Sequence, residues 1–475
     1  MLFPTLAFGI FFLLVFCGHW LLVRYQLPWK IFILGVSWFF YACWDWRFLG
    51  LLILYTVVNH CLALAASRCG TPPDKRWMIM AVIFNIGLLG FFKYYGFFTI
   101  SAYAACARLG LACPLPLLDF VLPVGISFIT FRAISYVIDV HRHVIEPAHS
   151  LVDFAIYKAF FPQLIAGPII RARHFLPQLY RIASVARVDS GRAAVLILGG
   201  LFKKMVIANY LAEKLVDPVF TNPATFYGLD VLLGVYGYAL QLYCDFSAYS
   251  DIAIGVALLL GFDFPENFNA PYFATSLRDF WSRWHISLST WLRDYLYVPL
   301  GGSRCSMART YTNLILTFLL GGLWHGASWT FVTWGALHGG CLALERFARD
   351  LTGRLNLPRL PLPDRAVRFF QRILVIHVVC LTWFFFRGQS FGDAMLLINN
   401  IFILQGHSQL FTPFVIFMLV AGFSTQFMDG ARLAPVWNAY NRLPPVWQGL
   451  AAAVVVTIIV VLGPEGVAPF IYFQF

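Results

Sequence analysis

The sequence predicts an all-α polytopic membrane protein. Three observations carry that reading. The chain has 475 residues, of which 60% are hydrophobic and only 12% charged, with a mean hydropathy of +0.74. A soluble domain of this size does not carry such a composition. Apolar stretches long enough to cross a bilayer recur along the chain, and Lys and Arg collect in the loops between them. Many Trp and Tyr residues stand near the ends of these stretches, where aromatic belts form.

Taken in order, the expected spans are 5–23, 30–43, 48–67, 77–98, 119–138, 193–213, 229–262, 368–387, 410–428 and 446–463, with a hairpin over 311–347. The first stretch, MLFPTLAFGIFFLLVF, has neither a basic leader nor an A-x-A site, so it reads as a retained helix. Basic loops fall at 24–30, 68–76, 139–150, 171–192, 263–309, 346–372 and 429–445. Placing them in the cytoplasm puts both termini outside. Segment 151–170 then starts and ends beside cytoplasmic loops and is expected to be re-entrant, broken at Gly167-Pro168. Segment 263–309 is too polar to span and is expected as short interfacial helices. The hairpin is flanked by arginines on both sides, so it must enter and return. Its fold-back is expected near Gly321, Gly322 and Gly326. No linker, repeat or low-complexity segment divides the chain, and a single membrane domain over 1–475 is expected.

The formal charge of +12 is large for so few charged residues. Topology accounts for most of it; a polyanionic cytoplasmic ligand, such as a nucleotide-bearing cofactor, is the second reading. Ten cysteines show no CxxC or other metal spacing, so no zinc or iron–sulfur site is expected. Cys106 and Cys113 share a charge-poor outer loop that admits either a disulfide or two thiols. Walker, GxGxxG, GxSxG and HExxH motifs are all absent. Chemistry therefore falls to a histidine inside the membrane.

His325, in GGLWHGASW, is that histidine. An ionisable side chain deep in a bilayer is costly and marks a functional site by default. Shielded from water, its imidazole is suited to act as a general base. Trp324 supplies an apolar wall, and Ser328 could hydrogen-bond within the site. His338 in WGALHGG reads equally as packing or support. Segment 277–304 interleaves Arg283 and Arg293 with Trp284 and other tryptophans, a pattern that could hold phosphates and cover an adenine. Asp245 and Asp251, in YCDFSAYSD, are expected first as partners of buried arginines and second as a polar cavity wall. Lys93, Arg132, Asp139, Lys158, Lys203, Lys204 and Arg387 lie in or near spans, and some are expected to pair with these carboxylates.

Seven stretches together resemble a membrane-bound O-acyltransferase (MBOAT) of the alginate O-acetylation type. They are LPVGISFITFRAISYVIDVHR (122–142), FFPQLIAGPIIRA (160–172), YCDFSAYSDIAIG (243–255), PENFNAPY (265–272), FWSRWHISLSTWLRDYLYVPLGGSR (280–304), GGLWHGASWTFVTWGALHG (321–339) and WFFFR (383–387). Arg132, where Gln is expected, and Ala248, where Gly is expected, are departures. The resemblance implies a ring of about 11–12 transmembrane helices, with re-entrant and interfacial helices, around a thin funnel-shaped centre. It implies catalysis by His325, in the WHG motif, and a second activity-linked histidine at His285. It also implies that an acetyl group passes from a cytoplasmic thioester, acetyl-CoA or another acyl thioester, to an extracytoplasmic acceptor. Expected partners are SGNH-like acetyltransferase proteins, polysaccharide synthesis and export machinery and the lipid bilayer, with no nucleic acid. No bound cofactor is implied. Exopolysaccharide O-acetylation leads in a bacterial inner membrane, before peptidoglycan O-acetylation or teichoic-acid D-alanylation. A proton-coupled transporter using His325, Asp245 and Asp251 is the reading of another class, and a passive scaffold is a further one.

Overall fold

The computed structural model describes residues 1–68, 74–118, 120–164, 167–355, 362–403, 408–428, 430–464, 466 and 470–471. Among these residues all regular structure is helical. Six helices are long and apolar enough to cross a membrane: Arg47–Ser67, Lys75–Arg108, Ser190–Thr221, Gly228–Leu259, Asp364–Arg387 and Pro445–Leu462. The other helices are shorter or more polar, the two hairpin helices among them. Parts of the basic loops, 69–73 and 356–361, lie outside the described residues. Packing groups the chain into two compact units: Met1–Asp189 with Val256–Pro265, and Ser190–Gly255 with Glu266–Phe475.

In the first unit, Leu6–Leu22 and Gln26–Ala42 pair through phenylalanine rings, with Phe11 and Phe40 centroids 5.6 Å apart. Every residue of Ile126–His141 is buried. Arg132 sits within it and donates to the carbonyls of Phe128 (3.4 Å) and Leu164 (3.5 Å). Lys158 likewise donates to the Ile129 carbonyl. Among the described residues neither cation is bonded to a carboxylate. Lys30 pairs instead with the buried Asp153, 2.6 Å away.

The segment expected to be re-entrant is a helix, Leu151–Ala159, then a single turn, Phe161–Leu164. The helix breaks at Phe160, before the expected break, and Gly167 (φ +115°) turns the chain a second time. Residues 153–164 are all buried, as a non-helical break in an apolar setting requires. The Lys75–Arg108 helix outruns its expected end at 98. It stops at Gly110 (φ +67°), where Leu111 N–H donates to the Cys106 carbonyl at 2.9 Å. That αL cap folds the chain back along the helix. Cys106 and Cys113 meet there as free thiols.

The second unit is built around the Gly228–Leu259 helix, whose most apolar window is 89% buried. Beside it, Ser190–Thr221 carries π-helical turns at Lys203–Ala208 and Ala212–Val216. The hairpin forms from Met307–His325 and Trp329–Arg354. Its turn is only Gly326, Ala327 and Ser328. Gly321 and Gly322, expected at the fold-back, are helical. Gly322 serves packing instead. A Cβ there would lie 2.2 Å from the Phe331 carbonyl oxygen, and one on Gly335 would lie 2.3 Å from that of Phe318. Small residues let the two backbones touch, as in membrane helix pairs.

Candidate active site

His325 is the last residue of its helix. Gly326 follows in extended backbone (φ −158°) and sends the chain back at once. The histidine is only 4% exposed. Its ring meets Trp324 at 4.9 Å, Trp334 at 5.1 Å and Phe386 at 5.1 Å, all near edge-on. The imidazole therefore lies in an aromatic box assembled from both hairpin helices and Asp364–Arg387. Ser328 acts on the backbone: its hydroxyl accepts from Thr330 N–H at 3.2 Å and caps the returning helix.

His338 proves to be structural. Its Nδ1 accepts from the Trp281 indole N–H at 3.3 Å. Nε2 therefore carries the proton and donates to Thr382 Oγ1 at 2.9 Å, which in turn donates to the Val379 carbonyl at 2.7 Å. Both ring nitrogens are used, leaving neither for chemistry.

His285 is built differently. It is completely buried and adopts left-handed backbone (φ 42°, ψ 56°) between the helices Leu277–Arg283 and Ile286–Leu292. A non-glycine residue there stores about 1–3 kcal/mol and persists only where its surroundings enforce it. The enforcing element is the PENFNAPY strip. Ile286 N–H donates to the Asn267 carbonyl at 2.9 Å, and Asn269 N–H donates to the Arg283 carbonyl at 2.9 Å. The ring packs edge-on to Phe246 at 4.6 Å and lies 6.1 Å from Trp324. Its Nδ1 is 3.2 Å from Asn267 Oδ1. Its Nε2 has no hydrogen-bond partner among the described residues. Burial drops its pKa to about 3, so the ring is neutral.

Trp284 is packed inside the protein, 2% exposed, stacked on Phe280 at 5.6 Å and beside Trp383 at 5.5 Å. Its face is thus covered by protein. Arg283 is paired to Asp279 at 2.7 Å and Arg293 to Asp294 at 2.7 Å, both partly open to solvent. The Arg283 hydrogen bond helps hold the Asp279 carboxyl below its usual range against the opposing push of burial. Asp245 and Asp251 pair with two of the candidate cations, both lysines and not the arginines put first: Lys204 with Asp245 and Lys203 with Asp251, each at 2.6 Å. Lys203 also donates to Ser247 at 2.8 Å. Arg387 pairs with Asp217 at 2.9 Å. Lys203 and Asp251 line a cavity of about 230 Å³, whose wall also includes Arg192, Leu196, Trp437 and Asn267. The cavity thus extends to Asn267, the residue against His285.

Sequence reasoning named both histidines but missed Asn267, Trp334 and Phe386. Asn267 stands in the PENFNAPY motif, where the sequence alone gives it no role. Its partner lies 18 positions on, and no local periodicity links the two.

Comparison with known proteins gives the class of this polytopic helical protein. The chain belongs to the membrane-bound O-acyltransferase family, MBOAT, whose family model matches residues 142–386. It is therefore an acyltransferase of the membrane. Among curated proteins, "Probable alginate O-acetylase AlgI" of Azotobacter vinelandii is 42% identical over 83% of this chain and 76% of its own length. The protein of the same name from Pseudomonas putida is 38% identical over the full length of both. "Peptidoglycan O-acetyltransferase" of Helicobacter pylori is 35% identical over 86% of this chain and 81% of its own.

Proposed function

We propose that this protein moves an acetyl group from a cytoplasmic thioester across the bacterial inner membrane, for O-acetylation of an alginate-like exopolysaccharide. The observation that carries the reading is the placement of two buried histidines, His325 and His285, both near the Trp324 ring, at 4.9 and 6.1 Å. In this scheme an acceptor hydroxyl gives its proton to His325 while its oxygen attacks the thioester carbonyl. The C–S bond breaks, and the departing thiolate takes the proton back as a thiol. A thiol with a pKa of about 8.5 leaves far more easily than an alkoxide, so the protein has to supply mainly a base and a shielded path. Transfer is direct, since the one serine near the histidine in sequence, Ser328, is occupied as a helix cap. The donor is acetyl-CoA or another acyl thioester. Arg283 and Arg293 would have to leave their aspartates to meet its phosphates. SGNH-like acetyltransferase proteins and the polysaccharide synthesis and export machinery complete the transfer outside.

The alginate assignment leans on the relatives' names and on their coverage of most of this chain. Peptidoglycan is the second acceptor, on the strength of the Helicobacter pylori relative. The test is the acetyl content of surface polysaccharide and of peptidoglycan in cells with wild type, His325→Ala or no copy, at matched expression. Loss of polysaccharide acetyl groups in both the deletion and the mutant is expected. Normal acetylation in His325→Ala would remove the histidine from the mechanism, and loss confined to peptidoglycan would reassign the acceptor.

A further inference from the structure

We propose that Asn267 is a positioning residue that fixes the tautomer of His285, so that its Nε2 stands as an unprotonated, buried hydrogen-bond acceptor. The inference rests on the acyltransferase reading above and extends it to a residue with no previous role.

The assignment follows from counting donors. Asn267 Oδ1 receives the Ser287 backbone N–H at 3.1 Å and the Ser287 hydroxyl at 2.8 Å. A backbone N–H can only donate, so the oxygen of the amide, and not its nitrogen, faces this cluster. The amide nitrogen points the other way and donates to Ser250 Oγ at 3.1 Å. The side chain is thus oriented from both ends. His285 Nδ1 lies 3.2 Å from the same Oδ1. An amide oxygen cannot donate, so this contact is favourable only if Nδ1 carries the proton. The Ser287 hydroxyl is nearer to Oδ1 (2.8 Å) than to Nδ1 (3.4 Å), so its single proton is committed to the amide. A neutral imidazole protonated at Nδ1 has its lone pair at Nε2. That atom is buried and has no partner among the described residues.

An unsatisfied acceptor in a dry site is costly, and a native fold keeps one chiefly where function uses it. The strained backbone of His285 points the same way, since the main-chain bond from Ile286 to the Asn267 carbonyl locks the residue from the same strip. Asn267 therefore holds both backbone and ring. The Nε2 lone pair is left to accept a hydrogen bond from the reacting group. His338 provides the internal contrast, because both of its nitrogens are consumed.

The test compares purified Asn267→Ala, Asn267→Asp and Ser250→Ala with wild type, with His285→Ala and His325→Ala as reference. The readout is kcat and KM for acetyl-CoA with an acceptor oligosaccharide, corrected for folded protein. Asn267→Ala should lose kcat by about 100-fold, with KM changed by less than about threefold, because a hydrogen bond to the reacting group is lost and not binding. Asn267→Asp retains an oxygen for Nδ1–H and should recover most of that loss. Ser250→Ala removes only the anchor of the amide and should lower kcat by roughly three- to tenfold. A purely structural asparagine would lower the amount of folded protein without moving kcat, and that result would overturn the proposal. So would Asn267→Asp remaining as inactive as Asn267→Ala while folded. If neither Asn267 variant folds, an unchanged kcat in Ser250→Ala refutes the proposal. If His285→Ala and His325→Ala stay active, the acyltransferase mechanism itself has failed.

Discussion

Gly321 and Gly322 are neighbours in sequence, yet the hairpin treats them oppositely, and replacing each by alanine tests how the site is held. At Gly321 a new Cβ would meet only Leu292 Cδ1 at 3.4 Å, which is ordinary contact. At Gly322 it would lie 2.2 Å from the Phe331 carbonyl oxygen and 3.2 Å from Gly335 Cα, both on the opposite helix backbone. Backbone cannot swing aside as a side chain does, so the two helices must part by about 1 Å. Overpacking of this kind costs roughly 1–3 kcal/mol. His325 is three residues further on, at the end of the displaced helix, and a misplacement of about 1 Å costs on the order of 100-fold in rate. Gly321→Ala should gain up to about 1 kcal/mol from helix propensity and remain active. Thermal unfolding in detergent and acetyl transfer per folded molecule measure the two effects. A Gly322→Ala protein as stable and as active as Gly321→Ala would refute close helix contact as the support of His325.

Lys204→Met strands Asp245, only 2% exposed, and should cost about 3–5 kcal/mol in detergent unfolding; Lys204→Met with Asp245→Leu should recover most of it. Lys203→Met should cost less, because Asp251 is 28% exposed and water can take over its solvation. His338→Leu should lower stability by roughly 1–3 kcal/mol through the stranded Trp281 and Thr382 groups, with turnover per folded molecule unchanged. His285 has a folded pKa of about 3, below an unfolded value of about 6.5. The unfolded chain therefore binds more protons between these values, and stability should fall as pH drops from 6.5 toward 3. His285→Asn should show a shallower decline over that window, and an identical slope would mean that the ring is not buried neutral.

Membrane character and the hairpin were legible because each depends on local information, runs of apolar residues and basic flanks; His325 stood out as an ionisable group inside an apolar stretch, whereas His285 entered only through the family resemblance. What escaped was pairwise and long-range. Asp245 and Asp251 were read as ion-pair partners with Lys203 and Lys204 among several candidate cations, but which cation meets which carboxylate depends on how two distant helices meet. The packing duty of Gly322 depends on a carbonyl across the turn. Arg132 and Lys158 stood among seven candidates of which some were expected to pair with carboxylates, yet they bond main-chain carbonyls, that of Leu164 at the end of a helical turn and that of Ile129 within a helix. Trp284 belongs to an alternating Arg/Trp pattern that looks like a ligand surface, and only burial shows its face covered by Phe280.

The π-helical turn at Lys203–Ala208 has a consequence for descent. Such a turn amounts to one extra residue in an otherwise regular helix. In an ordinary helix, side chains one position apart point about 100° away from each other. Here Lys203 and Lys204 both reach carboxylates on the same neighbouring helix, at Asp251 and Asp245. A homologue one residue shorter at this place would regain a regular helix and could keep only one of the two bridges. A single-codon gap there should therefore coincide with loss of charge at the position of Asp245 or Asp251, a correlation that genomes can supply without a further structure.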